Sequence, residues 1–198
     1  MKRIFVLIIF LTVSLINLNF AYSISPDVFI QSTVNRASQV LSENISKEEK
    51  IDKLKLVAKE TVDIEGVGYY SLGSARKNLN SEEISSYLSL FENYFLKSFS
   101  SRLAEYTNPE IEVKNKKILN NNYTIVNSVL IANEDRPQIK IDWRVYTKNP
   151  DNPLIRDLII EGLSLARTQK EEFASILNSN DGNINILFKT LKEFSNNN

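Results

Sequence analysis

The sequence predicts an α+β fold in which an antiparallel, curved sheet of about four strands packs against several helices. Apolar residues recur at helical spacing as far as Tyr106 and again beyond Gly162. Between these two regions they alternate with polar residues, as they do in half-buried strands. The chain contains no internal repeat and no low-complexity linker. Helices, a meander of strands and further helices therefore form one domain.

The first 23 residues have the features of an export signal. Lys2 and Arg3 precede an apolar run from Ile4 to Leu18, and Ala21-Tyr22-Ser23 offers small residues to a signal peptidase. The run is shorter than the roughly 20 apolar residues that span a bilayer, which favours cleavage over a retained anchor. We therefore expect a signal peptide over residues 1–23, cleaved near Ser23 or after Ala21, and a mature periplasmic domain over residues 24–198.

The composition argues against several classes of function. The chain has 24 Lys and Arg and 24 Asp and Glu, and this balance gives no basic surface for nucleic acid. It has no Cys, so an exported protein of this size is held by its core alone, which fits a bacterial periplasm. It has no His, which removes the commonest general base and metal ligand. We expect no enzyme, no catalytic residue and no metal site.

Caps and apolar spacing predict the first helices. Ser25-Pro26-Asp27 begins one helix, and a capping box formed by Ser46 and Glu49 begins the next. Gly66 and Gly68 interrupt the helical pattern. The sequence there predicts a turn, followed by a short apolar helix.

The longest predicted helix is unusually apolar. Asn80 and Glu83 form a capping box at its start, and it runs from about Ser81 to Tyr106. Such a helix has to be covered on more than one side. Its aromatic face either fills a core or lines a cavity, and the residues alone favour the core. This face consists of Ile84, Leu88, Phe91, Phe95, Phe99 and Leu103, widened by Tyr87, Leu90, Tyr94 and Leu96.

Alternating residues predict three strands, which start near Ile111, Tyr123 and Ile139. The links at residues 120–122 and 133–137 are short, as hairpins require. On the second strand, the alternation of Tyr123, Ile125, Val129 and Ile131 predicts that these residues face the core. A fourth strand over about residues 154–161 is apolar on both faces, which predicts a position inside the sheet.

The segment after the fourth strand predicts a sharp turn and two more helices. Gly162 permits the turn, and either Glu161 or Ser164 caps the helix that follows. Asp157 and Glu161 would lie about 13 Å apart on a strand, beyond the roughly 9.5 Å limit for paired glycosidase carboxylates. We therefore expect structural roles for them. Asp181-Gly182 separates the two helices, and the buried positions of the first are Leu165, Phe173, Ile176 and Leu177.

Three stretches, read in order, resemble the MlaC family, also called toluene-tolerance proteins, which are periplasmic phospholipid carriers of Gram-negative bacteria. The first is Tyr70-Ser71-Leu72-Gly73 with the capped aromatic helix that follows, and the second is the pair of strands that ends at Val145. The third is the segment 157–164 with Phe173 beyond it. Arg156 stands where the family pattern leads us to expect an aromatic residue, and Lys170 where the family often has Arg.

The resemblance implies a cone-shaped, NTF2-like fold whose cavity holds the acyl chains of a phospholipid as carried ligand, without a cofactor. It implies a shuttle between an outer-membrane lipoprotein complex and an inner-membrane ABC transporter with an MCE-domain ring, which maintains outer-membrane lipid asymmetry. We expect a monomer. The alternatives are an exported enzyme on a related scaffold and an interaction module whose apolar helix is only a core. The expected lipid-binding residues are Tyr70, Leu72, Phe91, Phe95, Phe99, Ile125, Val129, Ile141, Trp143, Val145, Leu158 and Ile160.

A group of lysines on the second helix has two interpretations. Such a group is usually a solvated helix face, and the alternative is a docking surface for the membrane complexes that the resemblance implies. The group consists of Lys47, Lys50, Lys53, Lys55 and Lys59.

Overall fold

The structure is a computed structural model that describes residues 23–106, 109–134 and 136–197. The expected α+β class is confirmed, with helices on both sides of a strand meander in the chain. The predicted signal segment lies outside the described residues except for Ser23. The helices are α1 (Pro26–Ser42), α2 (Lys47–Thr61), α3 (Ile64–Leu72), a 3₁₀ helix (Gly73–Asn78), α4 (Ser81–Leu103), α5 (Leu165–Asn178) and α6 (Ile184–Asn196).

The sheet is an antiparallel meander in which the strands are neighbours in chain order. Trp143 in the middle strand lies opposite Val126 on one side and Leu158 on the other. A fifth, two-residue strand that the sequence did not predict pairs with the fourth, which therefore lies inside the sheet as expected. The strands are β1 (Ile111–Asn120), β2 (Tyr123–Leu130), β3 (Ile139–Tyr146), β4 (Leu154–Ile160) and β5 (Leu163–Ser164).

A β-bulge in β4 explains why this strand is apolar at both odd and even positions. Val145 pairs with Ile155 and Arg144 pairs with Asp157, so Arg156 is one extra residue on β4. The shift brings Ile155 and Leu158 to the same inward face, although they lie three residues apart.

The predicted inward face of β2 is wrong. Ile125 and Val129 are half-buried on the outer face, and the alternate residues 124, 126, 128 and 130 are buried. A change of one residue in phase turns every side chain of a strand to the other face. The inward face includes a serine, Ser128, whose hydroxyl donates to the Ile141 carbonyl at 3.0 Å and accepts from Trp143 Nε1 at 2.9 Å. These partners satisfy a polar residue that the apolar pattern had assigned to the outside.

The predicted turn at the glycine pair is also wrong, because α3 continues through Gly66 and Gly68. An Asp63 carboxylate oxygen accepts a hydrogen bond from the Gly66 amide at 2.9 Å, and a Cβ on Gly66 would lie 2.5 Å from that carboxylate. A Cβ on Gly68 would lie 2.9 Å from a ring carbon of Phe91. The glycines therefore admit a capping side chain and allow α3 to approach α4 closely.

Most predicted helix ends are confirmed by their caps. Both capping boxes are present, at Ser46 and at Asn80. The Ser164 hydroxyl caps α5 by accepting from the Arg167 amide at 3.0 Å, and Gly162 has a positive φ of 84° in the turn before it. Two details differ: α4 ends three residues earlier than predicted, and Leu165, expected to be buried, is 39% exposed.

The apolar breadth of α4 reflects its central position. It packs against α2, α3 and α6, while α1 covers β1 and β2, and α3 and α5 cover β4. Tyr87 and Phe91 of α4 are almost fully buried, together with Phe173 of α5. None of the helices among the described residues is long and apolar enough to cross a bilayer.

Candidate functional site

Two adjoining cavities lie between the helices and the inward face of the sheet. The smaller has a volume of about 130 Å³ and the larger of about 380 Å³. Five residues line both cavities and form a shared wall. The shared wall consists of Val62, Phe99, Trp143, Ile155 and Leu158.

The smaller cavity is apolar, and most of its lining residues are buried or half-buried. It lies between α1, α2 and the inward face of strands β2 to β4, and Tyr106 is the exposed residue of its lining. A void of roughly 150 Å³ lined by aliphatic and aromatic side chains stays dry and accepts an apolar guest such as benzene. The smaller cavity therefore suits hydrocarbon. Its lining includes Val34, Leu41, Leu54, Ala58, Leu130, Ile139, Ile141 and Ile160.

The larger cavity is open to solvent and changes character from floor to mouth. Its floor includes the buried side chains of Phe91, Trp143 and Ala166. Its volume falls within the range of roughly 300–1,000 Å³ typical of small-molecule sites, which combine apolar walls with a few polar groups. The exposed residues at its mouth are Arg102, Leu165, Thr168, Glu172, Thr190 and Phe194.

One wall of the larger cavity is an aromatic ladder on α4. Phe91, Phe95 and Phe99 follow one another at four-residue spacing, which places them on one helix face. The Phe91 and Phe95 ring centroids lie 6.1 Å apart, and those of Phe95 and Phe99 lie 5.4 Å apart with planes at 9°. Phe173 of α5 meets Phe91 edge-on at 6.2 Å. The ladder thus presents continuous ring surface to the cavity.

The indole of Trp143 forms the centre of the shared wall. Only 8% of Trp143 is exposed, and its ring nitrogen donates to Ser128 as described above. Because that polar atom is satisfied inside β2 and β3, the rest of the ring is free to give apolar surface to both cavities.

A short hydrogen-bonded chain crosses the mouth of the larger cavity. The Tyr94 hydroxyl donates to Gln169 Oε1 at 2.9 Å, and Gln169 Nε2 donates to a Glu172 carboxylate oxygen at 2.9 Å. Burial raises the pKa of Tyr94, and the nearby charge of Glu172 raises it further. The phenol therefore remains a neutral donor, and the polar groups of this cavity face its opening.

Arg156, the unexpected basic residue, ties β4 to the start of α3. Its Nε donates to Asp63 at 2.5 Å, its Nη1 donates to the Tyr123 hydroxyl at 2.7 Å, and its guanidinium stacks 3.9 Å from the Tyr146 ring centroid. Burial works against its charge, but the bonds to Asp63 and Tyr123 outweigh burial and raise the pKa of Arg156. Asp63 also caps α3, so one carboxylate joins helix and strand.

Asp157 has a structural position at the junction of sheet and helix. It is buried and accepts hydrogen bonds from the Ser164 hydroxyl at 2.7 Å and the Ala166 amide at 3.0 Å. Glu161 accepts from the Lys140 amide instead of capping α5. The two carboxylates thus serve separate backbone groups. Within the described part of the chain, no cluster of three or more Asp or Glu could hold a metal ion.

The structure brings together seven of the residues expected to bind lipid. Phe91 and Phe95 line the larger cavity, and Ile141 and Ile160 line the smaller one. Phe99, Trp143 and Leu158 line both.

The other five expected residues lie elsewhere. Tyr70 is 43% exposed with the Lys170 ammonium 5.2 Å from its ring centroid. Leu72 and Val145 are buried in the core and line neither cavity. Ile125 and Val129 are on the outer face of β2, for the reason of strand phase given above.

Sequence reasoning missed the lining residues contributed by α1 and α2. Val34, Leu41 and Leu54 recur at the spacing of any core-facing helix, so nothing in the pattern separates a cavity wall from a packed interior. It also missed Arg102, which continues the ladder of Phe95 and Phe99 three residues further along α4. That spacing was a usable signal.

The five lysines of α2 do not form a free cationic patch. Lys47, Lys53, Lys55 and Lys59 each form an ion pair with a carboxylate, and Lys50 donates to the Leu41 carbonyl at 2.8 Å. Surface pairs of this kind are typical of a solvated helix face. The structure therefore favours the solvated face over the docking surface.

The chain is similar to known proteins both in sequence and in fold. A family model described as MlaC protein matches residues 31–193. No curated protein matches the chain. Among solved structures, the chain is similar to the phospholipid-binding protein from Ralstonia solanacearum in complex with a phospholipid, with a TM-score of 0.72 and 18% identity. The match covers 87% of this chain and 97% of the other, and at this identity it shows a shared fold.

Proposed function

This chain belongs to the MlaC family, and from that premise we propose that it is a periplasmic, non-enzymatic phospholipid carrier that holds acyl chains in the two adjoining cavities. The observation that carries the proposal is a pair of adjoining, largely apolar cavities that share the wall of Phe99, Trp143 and Leu158. A branched apolar space of this kind suits a ligand with two hydrocarbon chains. The phospholipid bound to the structural neighbour adds support.

The binding energy follows from burial of hydrocarbon. Each buried methylene contributes about 0.8 kcal/mol, so burying roughly ten of them contributes about 8 kcal/mol before the costs of association. A net free energy of about −8 kcal/mol corresponds to a dissociation constant near 1 μM. Because association itself costs several kcal/mol, micromolar binding requires burial of more than roughly ten methylenes, which two acyl chains supply even when they are only partly buried.

Family membership further suggests the route. We propose that the mature domain shuttles phospholipid between an outer-membrane lipoprotein complex and an inner-membrane ABC transporter with an MCE-domain ring, and so maintains outer-membrane lipid asymmetry. Residues 1–23 would direct export. A fusion of residues 1–23 to a reporter enzyme, followed by cell fractionation, tests this step. Reporter retained in the cytoplasm would contradict the periplasmic assignment.

The direct test of binding is mass spectrometry of organic extracts from the gently purified mature protein. We expect phospholipid in roughly equimolar amount to protein. The lipid-free protein should also take up phospholipid from vesicles. Protein that purifies empty and takes up no lipid from vesicles would refute the carrier function and favour an interaction module with a filled core.

A matched pair of variants locates the binding site. Phe95→Asp introduces a carboxylate into the larger cavity, whereas Val129→Asp introduces one on the outer face of β2. Both positions are half-buried, so the two variants differ chiefly in the surface that they charge. Because an unpaired charge in hydrocarbon is very costly, we expect Phe95→Asp to abolish lipid uptake. Val129→Asp should retain it, and the reverse result would place the site outside these cavities.

A further inference from the structure

We infer that the mouth of the larger cavity binds a zwitterionic phospholipid head group, with Arg102 on the phosphate and Glu172 on the amine. This inference rests on the proposed function, because the head group reaches the mouth only when the acyl chains occupy the cavity. The preferred lipid class is therefore a phospholipid with an ethanolamine-type head group.

The order of groups along α4 matches the order of groups in a phospholipid. Phe95, Phe99 and Arg102 lie on one face of the helix because they are spaced by four and then three residues. At about 1.5 Å of rise per residue, Arg102 lies roughly 10 Å beyond Phe95 along the helix axis. Apolar ring surface is thus followed by a single cation at the solvent end, where the phosphate of a seated lipid would emerge.

Arg102 is available for an anion. It is exposed, it lines the larger cavity, and no carboxylate of the described residues lies within 4.0 Å of its guanidinium. Most lysines of α2, by contrast, are already ion-paired. An arginine guanidinium presents a planar set of donors that matches the oxygens of a phosphate.

Glu172 supplies the opposite charge from the α5 side of the same mouth. Gln169, itself bonded to the Tyr94 hydroxyl, donates to Glu172 Oε2 and leaves the other carboxylate oxygen free of that bond. Glu172 raises the pKa of Tyr94 and Arg102 lowers it, so both charges act on the same hydroxyl. The mouth therefore carries one cation and one anion around a neutral phenol, which complements a zwitterion better than a net anion.

Head-group competition tests the inference. Lipid-free mature protein is incubated with vesicles of equimolar phosphatidylethanolamine and phosphatidylglycerol that have identical acyl chains, and bound lipid is quantified by mass spectrometry. Because the mouth is solvent-exposed, we expect the wild type to enrich phosphatidylethanolamine by about two- to fivefold. Inorganic phosphate in the buffer should not change bound lipid, since the free anion lacks acyl chains. Displacement of lipid by inorganic phosphate would count against the inference.

Two variants separate the charges. Glu172→Gln should lower uptake of phosphatidylethanolamine and leave that of phosphatidylglycerol no lower, which brings the ratio of bound lipids to that of the vesicles. Arg102→Gln should lower uptake of both lipids by about two- to fivefold. The matched controls are Glu171→Gln and Arg167→Gln, exposed residues of α5 that line neither cavity, and both should behave as the wild type.

The outcomes distinguish this inference from the proposed function. Uptake of lipid without head-group preference would overturn the inference and leave the carrier intact. An equal effect of Glu171→Gln and Glu172→Gln on the ratio would also overturn it, because general surface charge would then account for the preference. No uptake of either lipid by the wild type would refute the carrier function itself.

Discussion

The two cavities differ in what they offer a ligand, although they share a wall. The smaller is apolar, and two hydroxyls of its lining already have backbone partners: Thr33 donates to the Phe29 carbonyl and Thr61 to the Val57 carbonyl. The larger opens onto charged and hydrogen-bonding groups. Backbone carbonyls of a helix can satisfy a hydroxyl without any ligand, so these two threonines need no polar group from a guest. The smaller cavity therefore suits only hydrocarbon, whereas the larger cavity can also contact the polar part of a ligand.

Removal of the shared wall should have the largest effect on stability. Trp143→Ala removes the ring that separates the two cavities and the indole N–H that donates to the Ser128 hydroxyl. We therefore expect the lipid-free protein to lose about 3–5 kcal/mol in its free energy of unfolding. Urea denaturation measures this loss, and Trp143→Phe, which keeps an aromatic ring, should lose less. Equal losses for the two variants would mean that the ring is not what divides the cavities.

Crowding of the Phe91 ring, which lines the larger cavity, should have the next largest effect on stability. Gly68→Ala places a methyl group 2.9 Å from the Phe91 ring, whose side chain lines that cavity. We expect overpacking to cost about 1–3 kcal/mol of unfolding free energy and to reduce lipid uptake. Glu65→Ala on the exposed side of α3 serves as the control. Unchanged stability and uptake in Gly68→Ala would show that α3 moves without disturbing the cavity.

Filling the smaller cavity should separate its role from that of the larger one. Ala37→Leu adds hydrocarbon to its α1 wall, so we expect a gain of up to about 1 kcal/mol in unfolding free energy of the lipid-free protein. The bound phospholipids should have shorter acyl chains, as measured by mass spectrometry. Ala132→Leu, at an exposed position, is the control. An unchanged chain-length distribution would mean that acyl chains do not enter the smaller cavity.

The smallest effect should come from the ion pair that holds α1, a wall of the smaller cavity, to β1. Asp27 accepts from Lys116 at 2.7 Å and from Ser25, and these bonds lower the pKa of Asp27 to about 2. Because its folded pKa lies below the ordinary value of 3.8, its contribution is present above about pH 4 and is lost as the pH falls toward 2. Both side chains are more than a third exposed, so the contribution is below about 1 kcal/mol.

Asp27→Asn measures this contribution. The variant should be slightly less stable than the wild type at neutral pH, and the two unfolding free energies should converge near pH 2. A stability difference that persists unchanged at pH 2 would contradict the role of the charge.

The predictions from sequence succeeded where the signal was local. The capping boxes at Ser46 and Asn80 fixed two helix starts, and Ser164 was correctly among the residues expected to cap α5. They failed where a residue far away in the sequence determines the local structure. Ser128 faces inward, where Trp143 and the Ile141 carbonyl bond to it. The missing Cβ of Gly68 leaves room for the Phe91 ring of α4, so this glycine lies within a helix and not in a turn.

The sequence by itself determined the α+β class, the order of helices and strands and the apolar face of α4, because caps, turns and periodicity act between residues close in the chain. Only the tertiary structure decided that Phe95 and Phe99 border a cavity instead of a filled core. It also decided that Arg102 lies at the mouth. Apolar spacing reports that a face is buried, whereas the space left between buried faces depends on how elements far apart in the chain come together.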